Sequence, residues 1–268
     1  MYIQLKDFSM AYTDAGQGPP LLFVHGYPLS RGLWEPQIEA LTDVVRILAP
    51  DLRGFGDSQS VPGPYSMELF ADDLNAFLDA LGIVEPVVIC GLSMGGYVAF
   101  AFYRKYAHRV RGLVLTSTRA APDSPEGMAR RDQAAAEAIQ EGVASVVDGM
   151  LPRLFAPQTL KNRPDLVERA SAIMASASLQ GVVGALNAMK ERPDSTPILG
   201  RIAVPTLVVH GAEDSIVPLE EARQMADAIP GARIEVIPDA GHLLNLENPA
   251  AYNRVLRQFL GSLGSYTA

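Results

Sequence analysis

The stretch VVICGLSMGGYVAF, residues 87–100, places Ser93 between two glycines, directly after an apolar run and before a segment of helical character. A hydroxyl in this setting suits two kinds of site. A Gly-rich loop at a helix N-terminus can hold a phosphate, and a sharp strand-to-helix turn can expose a nucleophile. The neighbouring residues decide between these interpretations.

The phosphate-binding interpretation fails on the residues present. A dinucleotide-binding loop needs glycine at its first, third and sixth positions, and the third position here is Ser93. A P-loop needs Gly-Lys-Ser/Thr, and no lysine lies near this turn. Residues 91–95 instead match G-x-S-x-G, a turn that exposes the serine hydroxyl. The same turn puts the N–H of Met94 at a helix N-terminus, where it can donate to an oxyanion.

A serine nucleophile needs a base, and the base needs an orienting acid. Of the four histidines, His242 lies in the loop after the last predicted strand, and it follows Ser93 as the order Ser–Asp–His requires. We predict His242 as the base and Asp214, in the loop after the preceding strand, as the acid. Glu213 is the fallback for the acid, and Asp123 is a weaker one.

A second oxyanion donor is predicted in the His-Gly-Tyr-Pro sequence that follows an early strand. Gly26 lets the backbone turn, and Pro28 has no N–H, so the N–H of Tyr27 is the candidate. The sequence DLRGFGDS, residues 51–58, is interpreted as structural, with Asp51 and Arg53 in contact with each other. The single cysteine, Cys90, is expected to be a small buried residue.

The order of elements predicts a three-layer α/β fold with a mostly parallel sheet. Near-continuous apolar runs are typical of strands covered on both faces, and helical periodicity separates most of them. A hairpin is predicted at the N-terminus, over YIQL and FSMAYTD. The predicted strands lie at 19–26, 44–51, 86–91, 110–117, 205–211 and 233–239, and predicted helices at 66–81, 218–229 and 249–260.

The alternation stops over residues 119–197, which contain no strand-like run. We predict a helical cap there, inserted into a core domain formed by residues 1–118 and 198–268. Four cap helices are expected, at 125–141, 142–155, 164–176 and 178–191. Their apolar residues are expected to pack on the core or to line a pocket: Met150, Leu151, Leu154, Phe155, Ile173, Met174, Leu186 and Met189.

Composition narrows the class of protein. The chain has 268 residues, 48% of them apolar, and a net charge of −8, which argues against general affinity for nucleic acid or anionic membranes. One cysteine cannot form an intrachain disulfide, and the N-terminal sequence lacks the features of a signal peptide. These features predict a cytoplasmic enzyme with a small-molecule substrate. The oligomeric state is left open.

Five segments together resemble the α/β-hydrolase superfamily: residues 25–28, 51–54, the Ser93 turn, Gly211-x-x-Asp214 and Gly241-His242. The sequences GLSMGGYVAF, ERPDSTPIL and DAGHLLNLENP resemble bacterial carboxylesterases close to the 3-oxoadipate enol-lactonase group. The resemblance implies an eight-stranded sheet, a helical cap, no cofactor, and ester hydrolysis through an acyl-enzyme. It also supports Ser93, Asp214 and His242 as the triad, with Tyr27 and Met94 as oxyanion donors.

A carboxylesterase acting on small acyl esters is the leading hypothesis. An enol-lactonase would need a cationic group in the cap, for which Arg119, Arg130, Arg131 and Arg153 are available. A cofactor-free haloperoxidase or perhydrolase would use the same triad. A ligand-binding receptor of the same fold, without turnover, is the least favoured alternative. Dehalogenases and epoxide hydrolases of this superfamily use Asp in place of Ser93.

Overall fold

An eight-stranded sheet forms the centre of the protein, whose computed structural model describes residues 1–264. Its strands are β1 (Tyr2–Gln4), β2 (Ser9–Ala15), β3 (Pro20–Val24), β4 (Arg46–Pro50), β5 (Val87–Leu92), β6 (Val110–Thr116), β7 (Thr206–Gly211) and β8 (Arg233–Ile237). They are arranged in the order β1-β2-β4-β3-β5-β6-β7-β8. The β1–β2 and β2–β4 pairs are antiparallel, and all the others are parallel. The predicted mostly parallel sheet is confirmed.

Twelve α-helices surround this sheet in the described part of the chain, with 3-10 turns at Arg31–Trp34 and Ala107–Arg109. Three of them match the predicted core helices: Met67–Ala80, Leu219–Ala228 and Pro249–Ser262. The hydroxyl of Ser66 caps the first of these three by accepting the N–H of Leu69 at 3.0 Å. The helices are α1 (Glu35–Leu41), α2 (Met67–Ala80), α3 (Met94–Tyr106), α4 (Pro125–Glu141), α5 (Val143–Leu154), α6 (Pro157–Asn162), α7 (Pro164–Ala175), α8 (Leu179–Lys190), α9 (Thr196–Leu199), α10 (Leu219–Ala228), α11 (Leu244–Glu247) and α12 (Pro249–Ser262).

Alternate residues of the central strands belong to two separate hydrophobic cores, one on each face of the sheet. Leu22 and Ile89 pack in the core that also contains Phe70 of α2 and Val98 of α3. Their neighbours in sequence, Leu21, Phe23 and Val88, belong to the other core. That core also contains Leu41 of α1 and Tyr252 and Phe259 of α12. Burial on both faces explains why these strands are apolar at nearly every position.

Five helices, α4 to α8, occupy the segment predicted to be a cap. The six-residue helix α6 was not predicted, because so short a helix shows no clear apolar period. Treating residues 119–197 as a separate domain stays a prediction. Of the apolar residues singled out there, Leu154, Phe155, Met174, Leu186 and Met189 are buried, and Met150, Leu151 and Ile173 are partly buried.

Hydrogen bonds join this helical segment to loops at one edge of the sheet. The N–H and the hydroxyl of Ser178 both donate to the carbonyl oxygen of Gly54, each at 2.9 Å. On the other side, the N–H of Leu243 donates to Leu154 O at 3.0 Å, and the hydroxyl of Ser215 donates to Arg153 O at 3.0 Å. The segment is therefore connected to the loops that follow β7 and β8.

Within residues 1–264 no single helix combines the length and the apolar composition needed to cross a membrane. The pair Pro164–Ala175 and Leu179–Lys190, bent by 93°, reaches that length and composition only when its two helices are joined.

The strand β5, the strand β3 and the helix α3 meet with almost no space between their backbones. A Cβ atom added at Gly91 would lie 2.3 Å from the carbonyl oxygen of Gly95. One added at Gly95 would lie 2.1 Å from Val24 O and 2.9 Å from His25 O. Side chains at these two positions would push the helix away from the sheet.

We expect Gly95→Ala to lower the free energy of unfolding by about 1–3 kcal/mol or more, because the new methyl group would overlap backbone atoms that cannot rotate away. Gly149→Ala, inside α5 with nothing within 4 Å of the added Cβ, is the control. It should be neutral or stabilising by up to about 1 kcal/mol. Urea unfolding of both variants tests this, and equal midpoints would contradict it.

Candidate active site

The turn at Ser93 has the strained geometry expected of an exposed nucleophile. Ser93 lies between β5 and α3 with φ 55° and ψ −114°, a conformation that residues with a side chain rarely adopt. Three hydrogen bonds hold its backbone: the N–H of Ser93 donates to Thr116 O at 2.9 Å, and Ser93 O accepts the Thr118 hydroxyl at 2.8 Å and the N–H of Gly96 at 2.9 Å. The surrounding structure therefore fixes the strain at this residue.

The two predicted oxyanion donors lie on segments that flank Ser93. Met94 is the first residue of α3, and a Cβ added at Gly26 would lie 3.3 Å from the Cβ of Ser93, which places the loop of Tyr27 against the turn. Across the described residues, no hydrogen-bond acceptor is recorded for the N–H of Tyr27 or of Met94. Both N–H groups can therefore donate to a bound oxygen.

His25 supports this loop and does not act as a base. Its Nε2 accepts the N–H of Leu52 at 3.0 Å, so Nδ1 carries the hydrogen and donates to Gly26 O at 2.9 Å. The ring is fully buried, and burial lowers the pKa of His25 although the charge of Asp51 opposes this. Both ring nitrogens are used in holding the backbone beside Tyr27.

His242 and Asp214 are brought together by the loops after β8 and β7. Nδ1 of His242 donates to Oδ2 of Asp214 at 2.8 Å, and this leaves Nε2 unprotonated in the neutral ring. The loops can approach because Gly211 has no side chain: a Cβ there would lie 2.0 Å from Gly241 O. Within residues 1–264 no hydrogen bond joins Ser93 to His242.

The carboxyl group of Asp214 is fully buried, and it is stabilised in its charged form. Its Oδ1 accepts the N–H groups of Ile216 at 2.8 Å and of Val217 at 3.1 Å. Burial on its own would raise the pKa of Asp214, but the charge of His242 and these hydrogen bonds outweigh it, so that the pKa falls to about 2. An ionised carboxylate next to Nδ1 is what a catalytic acid in this position requires.

The two fallback acids, Glu213 and Asp123, lie in surroundings that differ from those of Asp214. Glu213 is exposed. Asp123 is buried and surrounded by arginines, with its carboxylate 3.0 Å from Arg131 Nε and from Arg192 and 3.1 Å from Arg119. Asp123 is therefore part of a structural ion-pair cluster. Of the other arginines considered for anion binding, Arg130 and Arg153 are exposed.

The predicted contact between Asp51 and Arg53 is wrong. Arg53 forms two hydrogen bonds of 2.5 Å with Asp73 of α2, and Asp51 pairs with the backbone N–H and guanidinium of Arg31. Asp51 and Arg53 therefore contact different partners, each 20 residues away in the sequence. Cys90 is buried as expected, and burial raises the pKa of its thiol to about 12.

Glu247 is a residue of the site that the sequence interpretation missed. One carboxylate oxygen accepts the N–H of Gly241, next to His242, at 2.7 Å. The other accepts the N–H of Ala156, in the predicted cap, at 2.9 Å. The sequence did contain an indication, since Glu247 is the first charged residue after His242 and follows a segment with three leucines.

This fold and this arrangement at the strand ends define the class of protein. The model of the α/β hydrolase fold family matches residues 19–249, so the chain belongs to this family. The predicted family resemblance is confirmed.

Individual relatives cover almost the whole chain. A thermophilic esterase from Thermogutta terrifontis, solved with malate bound, is 43% identical, with a TM-score of 0.96 over 98% of this chain and 99% of the other. The 3-oxoadipate enol-lactonase 2 of Acinetobacter baylyi is 29% identical over 94% of this chain and 92% of its own length. A putative non-heme chloroperoxidase of Synechocystis sp. is 29% identical over 93% of this chain and 94% of its own length. The chain is thus a hydrolase-fold protein of the enol-lactonase-like group.

The low pKa of Asp214 predicts a pH dependence of stability. The pKa of Asp214 in the folded protein, about 2, lies below the ordinary aspartate value of 3.8, so ionisation of Asp214 stabilises the fold. This contribution, on the order of 2 kcal/mol, is complete above about pH 4 and is lost as the pH falls toward about 2.

We therefore expect the difference in unfolding free energy between the wild type and Asp214→Asn to shrink over that range. Chemical denaturation at several pH values measures it. Asp227→Asn, which changes an exposed carboxylate on α10, is the control. A difference in unfolding free energy that does not vary with pH would contradict the low pKa of Asp214.

Proposed function

We propose that this protein is a serine carboxylesterase that hydrolyses small, short-acyl esters. The observation that carries the proposal is the 2.8 Å hydrogen bond from His242 to the buried Asp214, on loops that leave the sheet at the same end as the strained Ser93. Ser93 is the nucleophile, His242 the base and Asp214 the orienting acid. The free N–H groups of Tyr27 and Met94 form the oxyanion hole.

The reaction follows from these positions. Nε2 of His242 takes the proton of Ser93 as its Oγ attacks the ester carbonyl carbon, and the resulting oxyanion accepts the N–H groups of Tyr27 and Met94. The C–O bond of the alcohol then breaks, and His242 returns the proton to the departing oxygen. Water, deprotonated by His242, attacks the acyl-enzyme, and the carboxylic acid leaves as Ser93 regains its proton.

The preference for small esters is supported by the helices above the site. Residues Arg153 and Leu154 are hydrogen-bonded to the loops that carry Asp214 and His242, and Glu247 ties Ala156 to the same region. A cover attached this closely favours compact substrates over long acyl chains. The 43% identity to a solved esterase over nearly the full length supports ester hydrolysis itself.

Lactone hydrolysis is the second candidate, and the ion-pair cluster at Asp123 favours it. Within residues 1–264, three arginines, Arg119, Arg131 and Arg192, pair with two carboxylates there, those of Asp123 and Glu221. The cluster thus has one excess positive charge, which an acidic lactone could use. The candidate is weaker because every one of these guanidinium groups already has an anionic partner.

Steady-state hydrolysis of p-nitrophenyl esters from acetyl to dodecanoyl tests the proposal. We expect turnover on the short chains and a loss of kcat of about 10⁶-fold in Ser93→Ala, because the nucleophile is removed. Ser176→Ala, at an exposed serine after α7, should keep full activity.

Two further assays separate the alternatives: hydrolysis of an enol-lactone that bears a carboxylate, and peracid formation from acetate and hydrogen peroxide. An enzyme inert on every ester but active in one of these assays would replace the esterase assignment with that activity.

A further inference from the structure

A second histidine, His210, lies beside Asp214 and has no role in the reaction described above. It is the fifth residue of β7, and its side chain is completely buried. Its Nε2 lies 2.9 Å from the carbonyl oxygen of Val217 and 3.7 Å from Oδ2 of Asp214. No hydrogen-bond partner of Nδ1 is found among residues 1–264.

These contacts fix the hydrogen on the ring. A carbonyl oxygen can only accept, so Nε2 of His210 carries the hydrogen and Nδ1 does not. Burial lowers the pKa of His210 even though the charge of Asp214 opposes this, so the neutral ring is the form present near pH 7. The N–H edge of this neutral ring faces the turn that contains Asp214.

Val217 is held from two sides by this arrangement. Its carbonyl oxygen accepts Nε2–H of His210, and its N–H donates to Oδ1 of Asp214 at 3.1 Å. The N–H of Ile216 donates to the same oxygen at 2.8 Å. The hydrogen bond from His210 therefore stabilises the turn of residues 214–217. The N–H groups of this turn orient the carboxylate of Asp214 toward His242.

We infer that His210 is a positioning residue for the acid of the triad, an inference that rests on the proposed function. Its N–H fixes the turn of residues 214–217 and thereby the direction of Oδ2 toward Nδ1 of His242. Packing alone does not account for a histidine here, because an unpartnered buried ring nitrogen has a desolvation cost that an apolar side chain would avoid.

The test compares His210→Leu, which removes the donor, with His210→Gln, whose amide nitrogen can occupy the place of Nε2. We expect kcat per titrated active site to fall roughly 10- to 100-fold in His210→Leu, because small misplacements of catalytic groups are costly. KM should stay within about twofold, since the buried ring does not touch substrate. Glutamine should restore kcat to within about fivefold of the wild type.

A double-mutant cycle with Asp214→Asn separates positioning from a general structural role. Asp214→Asn alone should lower kcat by about 10⁴-fold, and His210→Leu should then cost little more, because the group that it positions is already gone. Titration of active sites with a phosphonate ester counts only folded enzyme. If His210→Leu does not fold, His210→Asn replaces it, since its shorter amide cannot reach Val217 O.

His108→Leu, at an exposed histidine after α3, is the matched control and should leave kcat unchanged. Additive losses in the cycle, or no difference between the glutamine variant and the donor-free variant, would overturn the role of His210. Either result leaves the esterase assignment intact as long as the wild type turns over and Ser93→Ala does not.

Discussion

The close approach of three backbone segments at the Ser93 turn is the constraint on which the site depends. The helix α3 can begin directly after β5 and lie against the end of β3 only because Gly91 and Gly95 have no side chains, since a Cβ at Gly95 would lie 2.1 Å from Val24 O. This contact supports the strained backbone of Ser93 and brings the loop of Tyr27 beside it. The proposed nucleophile and the proposed oxyanion donors are thus placed by a steric condition, not by side-chain attraction.

The same condition operates at the other side of the site. Gly211 allows the loops after β7 and β8 to touch, and Gly241 lets the second loop meet the backbone of Ala156, 2.6 Å from where its Cβ would be. Glu247 links the two segments, because its carboxylate accepts the N–H of Gly241 and the N–H of Ala156. The proposed base, His242, is therefore held by the sheet on one side and by the helical segment on the other, and movement of that segment would also move the loop of His242.

Much of this organisation could be predicted from the sequence, because it follows from local patterns. Apolar runs and helical periods gave the strands and the long helices, and the spacing from Gly211 to Asp214 selected the carboxylate that contacts His242. The side-chain contacts that were wrong or missed include pairings between residues distant in the chain. Arg53 with Asp73 could not be inferred from its neighbours, because Asp51 is nearer in sequence and equally suitable in charge. The six-residue helix α6 was too short to show a period.

The buried carboxylates show, by their partners, which one can act in catalysis. Asp51, Asp73 and Asp123 are each paired with a guanidinium group, whose charge is permanent and which holds them in structural roles. Asp214, with a fully buried side chain, has no arginine or lysine partner among the described residues; the backbone N–H groups of Ile216 and Val217 and the rings of His242 and His210 face it. Its negative charge is therefore not cancelled before the reaction begins. In the proposed reaction, Asp214 is the group that stabilises the positive charge formed when His242 takes a proton from Ser93.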